Sequence, residues 1–510
     1  MTWRRLNLNH SRDAVWLPDL IYKGGRFERD IAIICDGEGR IVRLDHANRI
    51  GGAFRLQNRA LLPGLINAHS HAFQRVIRGR TEYRTSNSND SFWTWREMMY
   101  SAATRLTPED VYDASRMAFL EMALTGITTV GEFHYLHHDP DGIPYTDPNL
   151  LAKAVVRAAA DVGLRIALLR VAYARSGYET EMNPRQARFV EKDAGTYLTN
   201  LQELIDEVNK TASSPDMVWI GVAPHSVRAV PLDYLREVIQ FANERKLAVH
   251  MHVAEQPAEV SACIQEYGRS PVALLETEGL LSERFTGVHL IHVTPKAIGM
   301  LAQAGAMACA CPTTERNLGD GIMPVDGFFK QGVRVSLGTD SHVEIDLLED
   351  ARELEYHLRL QKMERAILAP NGSLTPGFPA GRPGWGGTDR EGSSLSDTNG
   401  ALPHGRAFAL AARLFECATI NGAASLRAPG GILQPGHPAD FLTVDLDDPT
   451  IAGASADDLL SSIVFSLSKT AVRDVVVGGK RIVEDGRHAQ QEEIVERFKR
   501  LQRKLWGQIE

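Results

Sequence analysis

Hydrophobic positions recur through the middle of the chain in two rhythms. One is a series of short, nearly continuous apolar runs: LLPGLINAH (Leu61–His69), TTVGEFHY (Thr128–Tyr135), RIALLRVAY (Arg165–Tyr173), MVWIGVAPHS (Met217–Ser226), LAVHMHVAE (Leu247–Glu255), GVHLIHVT (Gly287–Thr294), GAMACACPTT (Gly305–Thr314) and RVSLGTDS (Arg334–Ser341). Runs apolar on both faces are the mark of buried parallel strands. The other rhythm has a 3.6-residue period and fills most of the gaps. Examples are PEDVYDASRMAFLEMAL (Pro108–Leu124), LLAKAVVRAAADVG (Leu150–Gly163) and LDYLREVIQFANERK (Leu232–Lys246), which predict helices. Eight strand-like runs with helical crossovers predict a (β/α)8 barrel of the TIM type, in the α/β class. An open doubly wound sheet is the alternative with the same alternation.

The ends of the chain read differently. IAIICDGEGRIVRL (Ile31–Leu44) is two apolar runs around a turn, and VRDVVVGGKRIVEDGR (Val472–Arg487) repeats that form around Gly478-Gly479. With ADFLTVDLD (Ala439–Asp447), these segments predict one small β-sandwich domain assembled from residues 1–60 and 427–490, flanking a barrel over residues 61–426. Residues 370–405 are rich in Gly, Pro and Ser and predict a long loop outside the βα rhythm; as a lid it would fold over the barrel mouth, and otherwise it lies outside the chemistry. FALAARLFECATINGAASL (Phe408–Leu426) reads as a helix. The tail, residues 491–510, reads as an amphipathic surface or interface helix.

Composition narrows the picture further. The 510 residues are 44% hydrophobic and 24% charged, with net charge −8. That balance argues against a nucleic-acid partner and gives no reason to expect a membrane surface. No apolar run is long enough for a membrane-spanning helix, and the first residues lack a secretory apolar core. The five cysteines are sparse and odd in number, which fits a reducing cytoplasm. Cys309-x-Cys311 has no second pair to complete a thiolate metal site, so both read as small buried hydrophobes.

Candidate chemistry collects at the ends of the strand-like runs. His69 and His71 are two apart, so on a strand they share one side. The fifth run supplies His250, His252 and Glu255, the sixth His289 and His292, and the eighth Asp340. Barrel sites lie at the C-terminal strand ends, and a catalytic zinc takes three or four N/O ligands with one position left open. His69, His71, His252 and Asp340 meet that need. Iron or manganese can occupy similar ligand sets. His250 lies one step deeper than His252 and His289 lies near the start of its predicted run, so both read as structural.

These blocks resemble the amidohydrolase superfamily, the metal-dependent (β/α)8 hydrolases: PGLINAHSH, HVAE, the HV after the sixth strand, GTDSH and the closing NGAASL…GGILQPGHPADFLTVDLD. More narrowly, HSHAFQR, FWTWRE, EFHYLHH, APHSVRAV, HVAEQ, CPTTERNLGDGI and GTDSHV are similar to the formimidoylglutamate deiminase family. The resemblance covers nearly the whole chain. It implies one Zn2+ per subunit, a homodimer, and hydrolysis of N-formimidoyl-L-glutamate to N-formylglutamate and ammonia in histidine degradation. By resemblance, Asp340 accepts a proton from water, Glu255 shuttles a proton to the departing ammonia and His292 bonds to the reacting oxygen. Gln74, Arg96, Tyr135, His225 and Arg228 would contact a substrate with two carboxylates, for which arginine forks are suited. Thr313, Thr314, Glu315 and Asn317 follow the seventh run without an assigned role. Two other functions stay open at this level: a purine-type deaminase, which predicts stacking aromatics and few cations, and a barrel that has lost catalysis and serves in an assembly.

Overall fold

The computed structural model describes residues 14–49, 52–84, 91–211, 214, 216–370 and 409–507. The 370–405 excursion, beyond Pro370, lies outside the described residues, as does Phe408; the single helix expected over Phe408–Leu426 is two, Ala409–Cys417 and Ile420–Leu426, broken at Ala418 and Thr419. Eight strands form a parallel sheet in sequence order: β1 (Leu65–Ser70), β2 (Ile127–His134), β3 (Arg165–Ala172), β4 (Val218–Pro224), β5 (Val249–Val253), β6 (Phe285–His289), β7 (Met307–Ala310) and β8 (Val335–Leu337). The sheet nearly closes into a barrel. At the seam, Ser70 bridges Asp340; the Asp340 N–H donates to the His69 carbonyl at 3.0 Å, and the His71 N–H donates to the Asp340 carbonyl at 3.1 Å. The open-sheet alternative is thereby excluded. Every residue of β1, β2, β3, β5, β6, β7 and β8 is buried, as the doubly apolar runs require.

Gly338 permits that closure. A Cβ there would stand 2.6 Å from the His69 Cβ and 2.9 Å from its carbonyl oxygen. Any larger residue would push β8 off the strand that carries His69 and His71.

Local signals set the helices. Thr107 caps the helix Pro108–Leu124: its hydroxyl accepts from the Asp110 N–H, and the Asp110 carboxylate accepts from the Thr107 N–H at 2.8 Å. The helix Leu150–Val162 stops at Gly163, which takes the left-handed conformation. The tail helix Gln491–Trp506 buries Ile494, Phe498, Leu501 and Leu505, an apolar stripe at three- to four-residue spacing, and packs against the helix Pro108–Leu124. Among the described residues no helix is long and apolar enough to cross a membrane.

The two ends of the chain build a separate nine-stranded mixed sheet. Its central strand, Phe54–Pro63, pairs in parallel with Ala14–Lys23 and antiparallel with Phe441–Asp445. The sheet therefore runs through Leu61–Pro63, three residues further than the apolar pattern marks. Trp16, Ile21, Ile33, Leu61 and Phe441 form its own core. It curls on itself, because the Ile41 N–H donates to the His437 carbonyl at 2.8 Å and the Ala439 N–H to the Gly39 carbonyl at 2.8 Å.

Candidate metal centre and its pocket

Three of the eight strands deliver four side chains to one point on the C-terminal rim. His69 and His71 come from the end of β1, His252 from β5, and Asp340 from just past β8. His69 Nε2 lies 3.2 Å from His252 Nε2 and 3.4 Å from Asp340 Oδ1; His71 Nε2 is 3.2 Å from the same oxygen. One ring nitrogen from each of the three histidines falls within 4.8 Å of the other two. Two of the rings are braced from behind: His71 Nδ1 bonds to the Phe133 carbonyl at 2.9 Å and His252 Nδ1 to the His225 carbonyl at 3.1 Å. A ring that donates through Nδ1 keeps the Nε2 lone pair for the site. Phe133 packs under all three rings, with centroid distances of 5.0, 5.3 and 4.4 Å to His69, His71 and His252.

The electrostatics suit a cation. Burial pushes His69 down to about 3 and His71 and His252 below the ordinary imidazole value, so all three remain neutral donors. Burial alone would raise Asp340, but its hydrogen bond to His69 and the neighbouring imidazoles outweigh that and hold it below the usual carboxylate range. Three neutral imidazoles and one ionised carboxylate are a ligand set for a divalent transition metal.

The seam behind the ligands is stapled by side chains. Asn67 Nδ2 donates to Thr339 Oγ1 at 2.7 Å, and Thr339 Oγ1 lies 3.0 Å from His342 Nδ1. His342 Nε2 lies 3.1 Å from Ser70 Oγ, which donates to Glu132 Oε2 at 2.5 Å. Glu132 also accepts from the Ala72 N–H at 2.8 Å. Burial lifts Glu132 to about 8, against the pull of Ser70 and Ala72. The network ties β1, β2 and the turn after β8, which carry three of the four ligands.

Glu255 faces the centre from the end of the β5 loop. Its Oε1 lies 3.7 Å from His289 Nε2, and burial raises its carboxyl to about 7. Here the structure corrects two sequence-based assignments. The apolar run Gly287–Thr294 does not continue as a strand; the chain turns at His289 and Leu290, whose φ values are 71° and 52°. His289 is therefore the last residue of β6, beside Val253. Its Nε2 lies 3.8 Å from Asp340 Oδ2, and Glu315 Oε1 holds its Nδ1 at 3.2 Å. Burial alone would lower His289, but Glu255, Glu315 and Asp340 raise it well above the ordinary value. His292, the sequence-based candidate, does not join the group: its Nε2 bonds to the Asp320 carbonyl at 2.9 Å. Counting residues from the start of β6 would have found His289, since His252 sits at nearly the same height on β5. His250 lies deeper, bonded to the Ser425 carbonyl at 3.0 Å.

Beside the centre is a pocket whose walls include Gln74, Arg96, Tyr135, His225, Arg228 and Glu255. All five residues predicted to contact substrate thus reach one cavity. Gln74 Nε2 donates to the Tyr135 hydroxyl at 2.7 Å. Arg96 enters from the helix Phe92–Ala103, its guanidinium 4.4 Å from the Trp93 ring centroid and 5.4 Å from that of Tyr100. The aromatic cluster of FWTWRE thus supports the arginine. Arg96 Nε and Nη1 are buried without a partner. Glu315 also accepts from the Cys311 N–H, Thr313 bonds to Asp350, Thr314 to Ser341, and Asn317 to Glu82 at the surface. All five cysteines are buried and none is in a disulfide; Cys311 lies near His289 and Asp340.

A parallel barrel with imidazoles and a carboxylate gathered on its C-terminal rim defines the class of barrel hydrolases that act through a bound metal. The chain belongs to the Amidohydrolase family, whose sequence model matches residues 60–377 and 392–482. Formimidoylglutamate deiminase of Pseudomonas aeruginosa is 37% identical over 487 residues, covering 94% of this chain and 96% of that protein. The 5-methylthioadenosine/S-adenosylhomocysteine deaminase of Syntrophomonas wolfei is 27% identical over 496 residues, covering 96% and 95%. The crystal structure of an amidohydrolase from Brucella melitensis superposes with a TM-score of 0.82 at 31% identity, covering 97% of this chain and 100% of that one.

Proposed function

We propose that this protein is a zinc-dependent deiminase that hydrolyses N-formimidoyl-L-glutamate to N-formyl-L-glutamate and ammonia. The observation that carries the reading is the pair Arg96 and Arg228 in the pocket beside the four-ligand centre, with two N–H groups of Arg96 unpartnered. Two half-buried guanidinium groups suit a substrate with two carboxylates and are ill matched to a purine ring. The relative from Pseudomonas aeruginosa, at 37% identity over nearly its whole length, supports the same substrate.

His69, His71, His252 and Asp340 would hold the metal, which when bound lowers the pKa of water towards about 7. Asp340, ionised, accepts the proton released as water attacks the formimidoyl carbon. Glu255, whose carboxylate pairs with the cationic amidine, takes the second proton of the attacking water and delivers it to the terminal nitrogen as the C–N bond breaks, the formyl C=O forms and ammonia leaves. His289, charged among three carboxylates, donates Nε2–H to the oxygen of the attacking water and holds it as it adds to the carbon. Arg96 and Arg228 bind the carboxylates and orient the amidine.

The test is ammonia release by metal-loaded protein from formimidoylglutamate, adenosine and 8-oxoguanine, with metal content measured on the same sample. Release from formimidoylglutamate alone, at about one zinc per chain, is the expected result. Release from a purine alone would replace this reading with the second.

A further inference from the structure

Behind the two arginines the pocket wall is formed by Tyr100 and Tyr173, and behind these stands Gln186, buried in the turn Pro184–Phe189. Gln186 Nε2 donates to both phenol oxygens, at 2.5 Å for Tyr100 and 2.8 Å for Tyr173. Gln186 Oε1 accepts from the Ser176 hydroxyl, and Ser176 Oγ accepts from the Asn183 N–H at 2.8 Å. The bonds run in one direction, from peptide N–H to serine, from serine to amide and from amide to two phenols. A phenol oxygen that accepts from an amide has its own O–H left to give. Both rings are held: Tyr173 packs 4.7 Å from the His225 ring, and each tyrosine lies 5.9 Å from Phe189. Burial raises Tyr100 well above the ordinary phenol value, so its proton stays on.

We propose that Tyr100 and Tyr173 donate their hydroxyl hydrogens to a carboxylate of the substrate, and that Gln186 is the positioning residue that aims them. The inference rests on the reading of the substrate as a carboxylated amidine. The two arginines attract anions of many shapes. Two neutral donors fixed from behind demand a carboxylate at one place, and they select against an amidine that lacks it, because the buried hydroxyls would then be left unpaired. Gln186 does not line the pocket and touches the ligand only through the tyrosines.

The experiment compares wild type with Y100F, Y173F, Q186M, the double variant Y100F/Y173F and the triple variant in the metal-loaded full chain. Steady-state kinetics use formimidoylglutamate and an amidine with one carboxylate, N-formimidoyl-4-aminobutyrate; binding of glutarate is measured by calorimetry. Each single variant is expected to raise KM for formimidoylglutamate about tenfold, the loss of one hydrogen bond to a charged group, with a smaller change in kcat. Glutarate affinity falls in parallel. In the Y100F/Y173F background Q186M adds little, since a residue acting through the phenols has nothing left to aim. An additive effect of Q186M there assigns Gln186 a purely structural role and overturns its part of the proposal. Unchanged KM and glutarate affinity in both tyrosine variants overturn the whole. If wild type releases no ammonia from either amidine, the proposed reaction fails, and the glutarate titration still decides whether the phenols bind a carboxylate.

Discussion

His289 and His292 separate geometry from pattern at the level of single residues. His289 Nε2 stands 3.7 Å from Glu255 and 3.8 Å from Asp340, whereas His292 Nε2 is engaged by a carbonyl outside the group. His289→Asn is therefore expected to lower kcat by about 10²–10⁴, the usual range for loss of a positioned proton donor, while His292→Asn stays within about fivefold of wild type. Steady-state ammonia release checks both, and comparable losses in the two variants would return His292 to the site. The four residues that converge on the candidate centre stood out in the sequence, because a His-x-His pair, a His three residues before a Glu and an Asp all follow apolar runs. His289 was not, because the apolar letters continue to Val293 and conceal the turn made by two residues with positive φ. Gln186 was equally hidden, since its partners are 86 and 13 residues away.

For the strands, the weak point is the seam between β8 and β1. A single backbone bridge closes it, and the Asn67–Thr339–His342–Ser70–Glu132 network supplies the remaining ties. Ser70→Ala takes one hydrogen-bond partner from a buried carboxyl and one from a buried imidazole, so it is expected to destabilise the fold by about 1–3 kcal/mol. Because the seam orients three ligands, zinc affinity should also fall by about 10–100-fold. A chelator-competition titration alongside thermal unfolding reads both, and an unaltered zinc affinity would limit the network to a structural role. Strand and helix identities were legible because period and caps agree, as at Thr107 and Gly163. Strand ends were less so: β8 spans only Val335–Leu337, and what lies beyond it is shaped by cross-seam bonds to Asn67 and Ser70, 272 residues away.

In the molecule as a whole, barrel and small sheet are locked by Arg165 at the start of β3. Its Nε donates to Asp440 Oδ2 at 2.6 Å and its Nη2 to Oδ1 at 3.0 Å, with both side chains buried. Removing one partner of such a pair leaves the other charge buried alone, so Asp440→Ala is expected to destabilise the protein by about 3–5 kcal/mol. Chemical denaturation would show this as a lowered midpoint; a shift under 1 kcal/mol would mean that the two parts dock without the pair. That the small domain draws on both ends of the chain was legible from its two hairpin signals. Its pairing was not, since residues 275 apart carry no mutual signal in one sequence.

The strand Phe54–Pro63 passes through Gly64 straight into β1, and its antiparallel partner is Phe441–Asp445. During synthesis the ribosome must add about 380 further residues before that partner emerges. At roughly 5–20 residues per second the edge waits on the order of 20–80 seconds without its mate. An unpaired edge recruits other strands, so the nascent N-terminal sheet is where a chaperone would be needed soonest.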